Sequence, residues 1–438
     1  MPGAKDNLYM AVSVAEVKLW GELVGAVAWN DDQGFAAFEY DPAFLRKLLE
    51  IAPLTVPLRP EIFSFPELSR KTFYGLPGLL ADSLPDRYGT VLIEAWLLKQ
   101  GRSLEDFNPV ERLCYMGSRG MGALEFEPAL VPRQKSVRLE VSELVELAGK
   151  ILLERKNLFV NLTEHESNAL DTIFRVGTSA GGARAKAVIA WNPATGEVRS
   201  GQVRAPKGYE YWILKFDGVN QDTLGDPEGY GKIEYAYHRM ATTAGIDMCE
   251  CRLMEEGGRA HFMTRRFDRS RTADKIHMQS LCAIGHYDFN QPGRYSYETA
   301  MSICQRLNLG QTAVAQLYRR MVFNVVARNQ DDHTRNIAFL MDREGQWRLT
   351  PAFDVIWSYN SQGKWTNRHQ MTINGKTNGF EQQDLIEVAK HYNIKKPFEI
   401  LAAVGSAVRR WPEFADEAGV APERISTVSA THRLNLVA

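Results

Sequence analysis

Cysteine is scarce in this 438-residue chain, and what there is does not form a pattern. Cys114, Cys249, Cys251, Cys282 and Cys304 are odd in number and scattered, which excludes a disulfide framework as the basis of the fold. Cys249 and Cys251 form a C-x-C pair without a second Cys or His pair at zinc spacing; strand alternation with one thiol buried is the expectation. Long apolar runs are missing too. Nothing approaches the roughly 20 residues of a membrane span, so no membrane association is expected. Glu16, Lys18 and Glu22 interrupt the apolar stretch near the N-terminus, which therefore does not read as a signal peptide, and a cytoplasmic location is the default. Net charge is also lacking: at -1, the chain is not built to grip nucleic acid by itself.

What is present is ordinary globular composition, 45% apolar and 24% charged, over a length that calls for two or three packed units. The runs Val17–Trp20, Leu23–Trp29 and Phe35–Tyr40 are separated by turn residues and read as β-hairpins. Asp41-Pro42 reads as an N-cap and first helical residue. Prolines 53, 57, 60 and 66 keep the next stretch irregular, and Leu84-Pro85-Asp86 precedes a helix through Leu98. Residues 128–140 read as a linker. A helix follows over Val141–Arg155, then strands Ala185–Trp191, Val198–Val203 and Tyr211–Phe216. A helix over Glu228–Ala244 comes next. Strands Arg252–Met254 and His261–Arg265 flank a turn at Glu255–Arg259. Beyond residue 270 the pattern is mostly helical, clearest at Tyr297–Leu307 and Thr312–Ala327. A strand–turn–strand, Ile337–Met341 and Trp347–Leu349, interrupts it. There is no internal repeat or low-complexity tract.

The segment with chemistry in it is Arg328-Asn329-Gln330-Asp331-Asp332-His333-Thr334-Arg335-Asn336, which ends a helix and precedes that strand pair. Asp354 follows, within Pro351-Ala352-Phe353-Asp354-Val355. Phosphoryl transfer by kinases needs a carboxylate to orient and deprotonate the attacking hydroxyl. It also needs an Asn five residues later and a second Asp beyond a β-turn-β excursion, both to hold Mg²⁺. Asp331, Asn336 and Asp354 have that spacing. A kinase also needs a glycine-rich loop and a phosphate-binding lysine. Gly177-Thr178-Ser179-Ala180-Gly181-Gly182-Ala183-Arg184-Ala185-Lys186 supplies the first, because adjacent glycines let backbone N–H groups approach phosphate. Lys215 on the strand Tyr211–Phe216 supplies the second, with Glu234 on the following helix as its partner and Glu228 as a weaker candidate. His333 lies in the loop, within reach of a nucleotide; His286 and His369 are given no role.

Gly177-Thr178-Ser179-Ala180-Gly181 also matches the G-x-S-x-G nucleophile elbow of serine hydrolases, with Ser179 as nucleophile. An elbow needs a strand before the serine and a helix directly after it. Here a strand follows, and a hydrolase leaves Asp331, Asn336 and Asp354 unexplained.

In order along the chain, these motifs resemble the HipA family, serine/threonine protein kinases that are toxins of type II toxin–antitoxin systems. The resemblance is carried by Leu76-Pro77-Gly78-Leu79-Leu80-Ala81-Asp82-Ser83-Leu84-Pro85-Asp86, Arg112-Leu113-Cys114-Tyr115-Met116-Gly117 and the loop Ser179 to Lys186. Further along, it rests on Arg265-Arg266-Phe267-Asp268-Arg269, Tyr295-Ser296-Tyr297-Glu298, the catalytic-loop segment and Met371-Thr372-Ile373-Asn374-Gly375. It implies an α+β, two-lobed protein-kinase-like fold with an extra N-terminal β-rich subdomain and an all-helical C-terminal lobe. The corresponding units are 1–130 (N-terminal subdomain), 141–268 (kinase N-lobe) and 269–438 (mainly helical C-lobe).

The resemblance further implies Asp331 as catalytic base, with Asn336 and Asp354 as Mg²⁺ ligands. ATP contacts are implied for Gly181, Gly182, Ala183, Arg184, Ala185, Lys186 and Lys215, for the hinge residues Arg265, Arg266 and Phe267, and for Asp331, Asp332, His333, Phe353 and Asp354. Ser179 is implied as the autophosphorylated residue. The partners implied are a small helix-turn-helix, HipB-like antitoxin, operator DNA reached through it, and a translation-related protein substrate such as an aminoacyl-tRNA synthetase. Arg265 stands where some members carry an acidic residue, and Asp332 where relatives are often small, adding charge beside the metal site. A catalytically idle regulator that only binds antitoxin and DNA is the non-enzymatic alternative; the intact Asp331, Asn336 and Asp354 set weighs against it.

Overall fold

The computed structural model describes residues 11–131, 136–153, 173–174, 176–177, 184–219 and 229–437, and its strands form three antiparallel sheets. The first contains β1 (Val14–Leu19), β2 (Glu22–Asn30), β3 (Phe35–Tyr40), β4 (Ile62–Phe63) and β5 (Leu124–Glu127), in the order β4-β3-β2-β1-β5. Its first three strands are the expected hairpins. Strand alternation buries Ala15, Val17 and Leu19 on one face. The Asp41 carboxylate accepts the Ala43 N–H at 2.7 Å, capping the short helix that Pro42 opens.

The second sheet has the order β7-β6-β8-β10-β9, from β6 (Lys186–Trp191), β7 (Val198–Ser200), β8 (Glu210–Lys215), β9 (Cys251–Glu256) and β10 (Arg259–Arg265). The β9–β10 turn is tighter than the sequence suggested. Gly257 and Gly258, at φ +55° and +77°, make it alone, so Glu255, Glu256 and Arg259 join the strands. The helix Arg87–Leu98, capped by Asp86, and the helix Val141–Leu153 pack Val91, Leu92, Leu144 and Ala148 into one core with Ala187, Ile189, Trp212 and Leu214 of this sheet.

The largest core is C-terminal and mainly helical, built on Tyr297–Arg306, Gly310–Val326, Gln382–His391 and Pro397–Arg409. A small sheet interrupts it: β11 (His277–Ser280), β12 (Ala338–Met341) and β13 (Trp347–Leu349). The β12–turn–β13 unit was legible in the sequence. β11 was not, because its buried positions include His277 and Gln279, which the apolar pattern cannot flag. Among the described residues no helix is long and apolar enough to cross a membrane.

The stretch Leu76–Asp86 joins the first sheet's unit to the rest. The Gly78 N–H donates to His286 Nε2 at 3.1 Å, and a Cβ there would lie 2.5 Å from the Ala283 carbonyl oxygen, so only glycine fits. The Asp82 carboxylate accepts the N–H and hydroxyl of Ser280 at 2.6 and 2.7 Å. Asp86 pairs with Lys186 at 2.7 Å, with both side chains at most 5% exposed.

A second junction is built on Asp268, whose side chain is fully buried. It accepts from Arg266 Nε and Nη2 at 2.9 and 2.7 Å, from Arg269 Nη1 at 2.8 Å, and from the Gly122 N–H at 2.7 Å. Burial alone would raise its pKa; the two guanidiniums more than offset this and hold it well below the usual carboxylate range. Removing this charge leaves two buried guanidiniums without their counter-ion. Asp268→Asn is expected to cost about 3–5 kcal/mol of stability, read from urea unfolding. Because the native pKa is depressed, this contribution is present above 3.8, the ordinary aspartate value, and is lost as pH falls below it. The wild type should therefore lose its advantage over the variant in acid, and equal midpoints at pH 7 would contradict this.

Candidate active site

Lys215 ends β8 and points at two carboxylates. Its Nζ lies 2.6 Å from Glu234 Oε1, on the helix Tyr230–Thr243, and it also bonds the Asp354 carboxylate. Burial by itself would lower the lysine pKa. Asp354 and Glu234 outweigh it and hold the ammonium above its usual range. Burial would likewise raise Asp354, and Lys215 pulls it below the usual value. Of the two glutamates weighed as partners of Lys215, it is Glu234 that pairs; Glu228 lies outside the described residues.

Asp354 has φ +52°, a left-handed conformation uncommon for a residue with a Cβ. Backbone held this way costs on the order of 1–3 kcal/mol and persists where surrounding contacts fix it. Those contacts are the Lys215 ion pair and the preceding Phe353 ring, which packs against Phe267 of the expected hinge at 5.2 Å between centroids. The two partners of the ion pair line different depressions. One is lined by Tyr297, Arg320, Asp332, His333, Asn336 and Asp354, the other by Arg184, Lys215, Phe216, Tyr230, Glu234 and Phe262.

Asn336 closes the loop that starts at Asp331. Its Nδ2 donates to the Asp331 carbonyl oxygen at 2.8 Å, which leaves the amide oxygen as the end available to the cavity. Asp331 itself is exposed, with His333 Nε2 3.8 Å from its carboxylate. An amide oxygen and a carboxylate on one cavity wall are hard donors that suit Mg²⁺. Buried His333 Nδ1 and Arg320 Nε, on the same wall, have no partner among the described residues and fit an added polar group.

Asp332 departs from expectation. Instead of adding free charge beside the metal position, it is buried and its oxygens are taken up by the fold. It accepts from Tyr297 Oη at 2.9 Å, from His369 Nδ1 at 2.7 Å and from the Gln370 N–H at 2.8 Å. The tautomer of His369 follows from its other neighbour. Arg433 Nη1 stands 3.1 Å from Nε2 and can only donate, so Nε2 accepts and Nδ1 carries the proton given to Asp332. Tyr297 also accepts from Asn324 Nδ2 at 2.8 Å. This network fixes the residue next to Asp331. His369, given no role from the sequence, belongs to it; 37 residues separate it from Asp332, and no motif spacing marks the pair.

Of the expected nucleotide contacts upstream, Ser179, Gly181, Gly182 and Ala183 lie outside the described residues. Arg184 stacks over Tyr230 at 4.4 Å and lines the depression beside Lys215. Ala185 is buried, and its carbonyl oxygen accepts the Phe216 N–H. Lys186 lies directly across from Lys215 in the β6–β8 register, and its ammonium is bonded to Asp86. Residues 173, 174 and 176 are helical and a strand starts at Lys186, the reverse of the strand-then-helix order an elbow requires. At the hinge, Arg265 reaches Glu210 and Glu250 at 3.4 Å each, and Arg266 is taken up by Asp268. Their N–H groups donate to the Glu250 and Tyr211 carbonyl oxygens, so neither N–H is left over for a base. The Phe267 ring is the hinge group that packs on the residue before Asp354.

Comparison with known proteins follows the same outline. Two curated relatives, each carrying the name "Putative kinase", match in part. One, from Sinorhizobium fredii, is 27% identical over 127 residues, 27% of this chain and 30% of the relative. The other, from Haemophilus influenzae, is 26% identical over 161 residues, 32% of this chain and 47% of the relative. The matches thus span about a third and about half of those proteins. Among solved structures, HipA from the Shewanella oneidensis MR-1 toxin–antitoxin complex of HipA, HipB and operator DNA superposes with a TM-score of 0.65. It covers 97% of this chain and 96% of that one at 16% identity, a likeness of fold. The model of the HipA N-terminal domain matches residues 15–127. Because the model of the HipA-like C-terminal domain matches residues 178–431, more than half of the chain, this protein belongs to the HipA family.

Proposed function

We propose that the protein is an ATP- and Mg²⁺-dependent serine/threonine protein kinase. The observation that carries this reading is Lys215 bonded to both Glu234 and Asp354, with Asp354 sharing a cavity wall with Asn336. In the proposed chemistry Asp331 orients the substrate hydroxyl and accepts its proton, which its exposure and fixed backbone permit. Lys215 positions the phosphates, and Glu234 holds the lysine in place. Asn336 and Asp354 hold the metal, which when bound supplies charge neutralisation of the phosphates. The network from Tyr297 through Asp332 to His369 keeps the Asp331 backbone from drifting. Partly identical relatives named as kinases agree with this reading.

The toxin role, the helix-turn-helix antitoxin, the operator and a translation-related target such as an aminoacyl-tRNA synthetase are proposed from family membership. The architecture shared with the HipA of a HipA–HipB–operator complex supports that part of the reading. With net charge -1, the chain alone should shift operator duplex poorly in gels at physiological salt, and better with a basic antitoxin. Tight, sequence-specific binding without a partner would contradict this.

Replacing Asp331 by Asn removes the base and keeps the shape. Phosphate transfer should fall by about 10²–10⁴-fold with ATP affinity little changed. Asp354→Asn should act differently: Asn tolerates the left-handed backbone, so the fold survives while Mg²⁺–ATP binding weakens. Radiolabel transfer and titration calorimetry separate the two effects, and full activity of Asp331→Asn would sink the assignment.

Ser179 is proposed as a self-phosphorylation site. A phosphoserine two residues before Gly181-Gly182 adds close to two negative charges where ATP phosphates are to be cradled, and should switch the enzyme off. Intact mass after incubation with Mg²⁺–ATP should gain one phosphate in the wild type and none in Ser179→Ala or Asp331→Asn, while Ser179→Asp should bind ATP more weakly. Equal phosphate on Asp331→Asn incubated alone would show that the modification is not self-inflicted.

A further inference from the structure

The segment that runs on from Asp354 has a one-sided composition. From Val355 to Phe380 it contains no aspartate or glutamate, while Lys364 and Arg368 flank a tryptophan, Trp365, that is 42% exposed. Lys364 Nζ lies 5.6 Å from the centre of that ring. Lys71 approaches the same ring at 6.0 Å from a different part of the chain, the short helix Arg70–Phe73. Lys71, Lys364 and Arg368 are exposed, and none of them forms an ion pair among the described residues.

This patch is tied to the proposed base. Gln370 Nε2 donates to the Trp365 carbonyl oxygen at 2.6 Å and to the Gln330 carbonyl oxygen at 3.3 Å, so one nitrogen gathers the backbone under the tryptophan and the residue before Asp331. The same nitrogen lies 3.1 Å from the Arg368 carbonyl oxygen, and the Gln370 N–H is bonded to Asp332. A large apolar ring ringed by unpaired cations and anchored beside a catalytic loop marks a binding surface.

We propose that Lys71, Lys364, Trp365 and Arg368 dock an acidic stretch of the protein substrate. An apolar side chain would cover Trp365 and carboxylates would meet the three cations, close to the hydroxyl delivered to Asp331. This rests on the kinase reading above. A peptide suits the surface better than a nucleic acid strand. Two lysines at one ring and Arg368 three residues on, in a chain of net charge -1, make a local complement to a few carboxylates, not a groove that tracks a phosphate backbone.

The test uses the full chain and three fluorescein-labelled probes: a short Ser- and Leu-containing peptide rich in Asp and Glu, its Lys-for-acid counterpart, and a single-stranded oligonucleotide. By anisotropy, the acidic peptide should bind about tenfold tighter than the basic one at low salt, and the difference should shrink as salt rises. Lys364→Glu with Arg368→Glu should invert the preference, and Trp365→Ala should weaken binding of the acidic peptide, with ATP turnover in the absence of peptide unchanged. Three results overturn the docking surface: equal binding of both peptides, a preference unmoved by charge reversal, or tighter oligonucleotide binding lost in the same variants. Acidic-peptide preference in a chain that turns over no ATP would overturn the kinase reading and leave the surface standing.

Discussion

Lys186 and Lys215 face each other across the antiparallel strands β6 and β8, and like charges so placed repel unless each has its own counter-ion. Neither counter-ion comes from the sheet. Asp86 arrives from the cap of the helix Arg87–Leu98, Glu234 from the helix after β8, and Asp354 from beyond β13. Burying a lysine without such a partner costs several kcal/mol, so the pair of lysines draws carboxylates from three other elements to the same end of two inner strands.

The same logic accounts for two of the family motifs, Leu76–Asp86 and Arg265–Arg269, whose charged side chains bind other segments of the chain. In Leu76–Asp86, Gly78 allows close approach to Ala283, Asp82 caps Ser280, and Asp86 neutralises Lys186. In the Arg265–Arg269 motif, Asp268 binds two guanidiniums and the Gly122 N–H. These residues hold units together, and through Lys186 and Phe267 they also touch the two ends of the candidate site. Rigidity of the loop at Asp331 has a separate source, the buried carboxylate of Asp332 saturated by Tyr297, His369 and Gln370. With that carboxylate fixed, the exposed Asp331 beside it can present its own side chain to solvent without the backbone drifting.

Much of this was readable in one dimension. The hairpins of the first sheet, the Asp41 and Asp86 helix starts, the β12–turn–β13 unit and the Asp331, Asn336 and Asp354 spacing follow from alternation, capping chemistry and short-range geometry, all of which act within a few residues. The Lys215–Glu234 pair was legible as well, since a strand leading into a helix places the two side chains within reach of each other. The family resemblance, carried by motifs in order, agreed with the architecture.

What the sequence could not specify is how buried charges are shared between distant segments. It marked Lys186 and Arg266 as candidates for a nucleotide, while the fold gives their side chains to Asp86 and Asp268. The resemblance placed Asp332 among the nucleotide contacts, with its charge beside the metal site, while the fold turns it inward to a histidine 37 residues away. The sequence offered no reason to connect Lys71 with Trp365. A buried charge takes whichever partner the packed chain brings within about 3 Å, and that choice is made only when the cores close. The sequence thus determined which elements form and which residues have the chemistry, and the tertiary structure decided which of those residues hold the molecule together and which remain free to act.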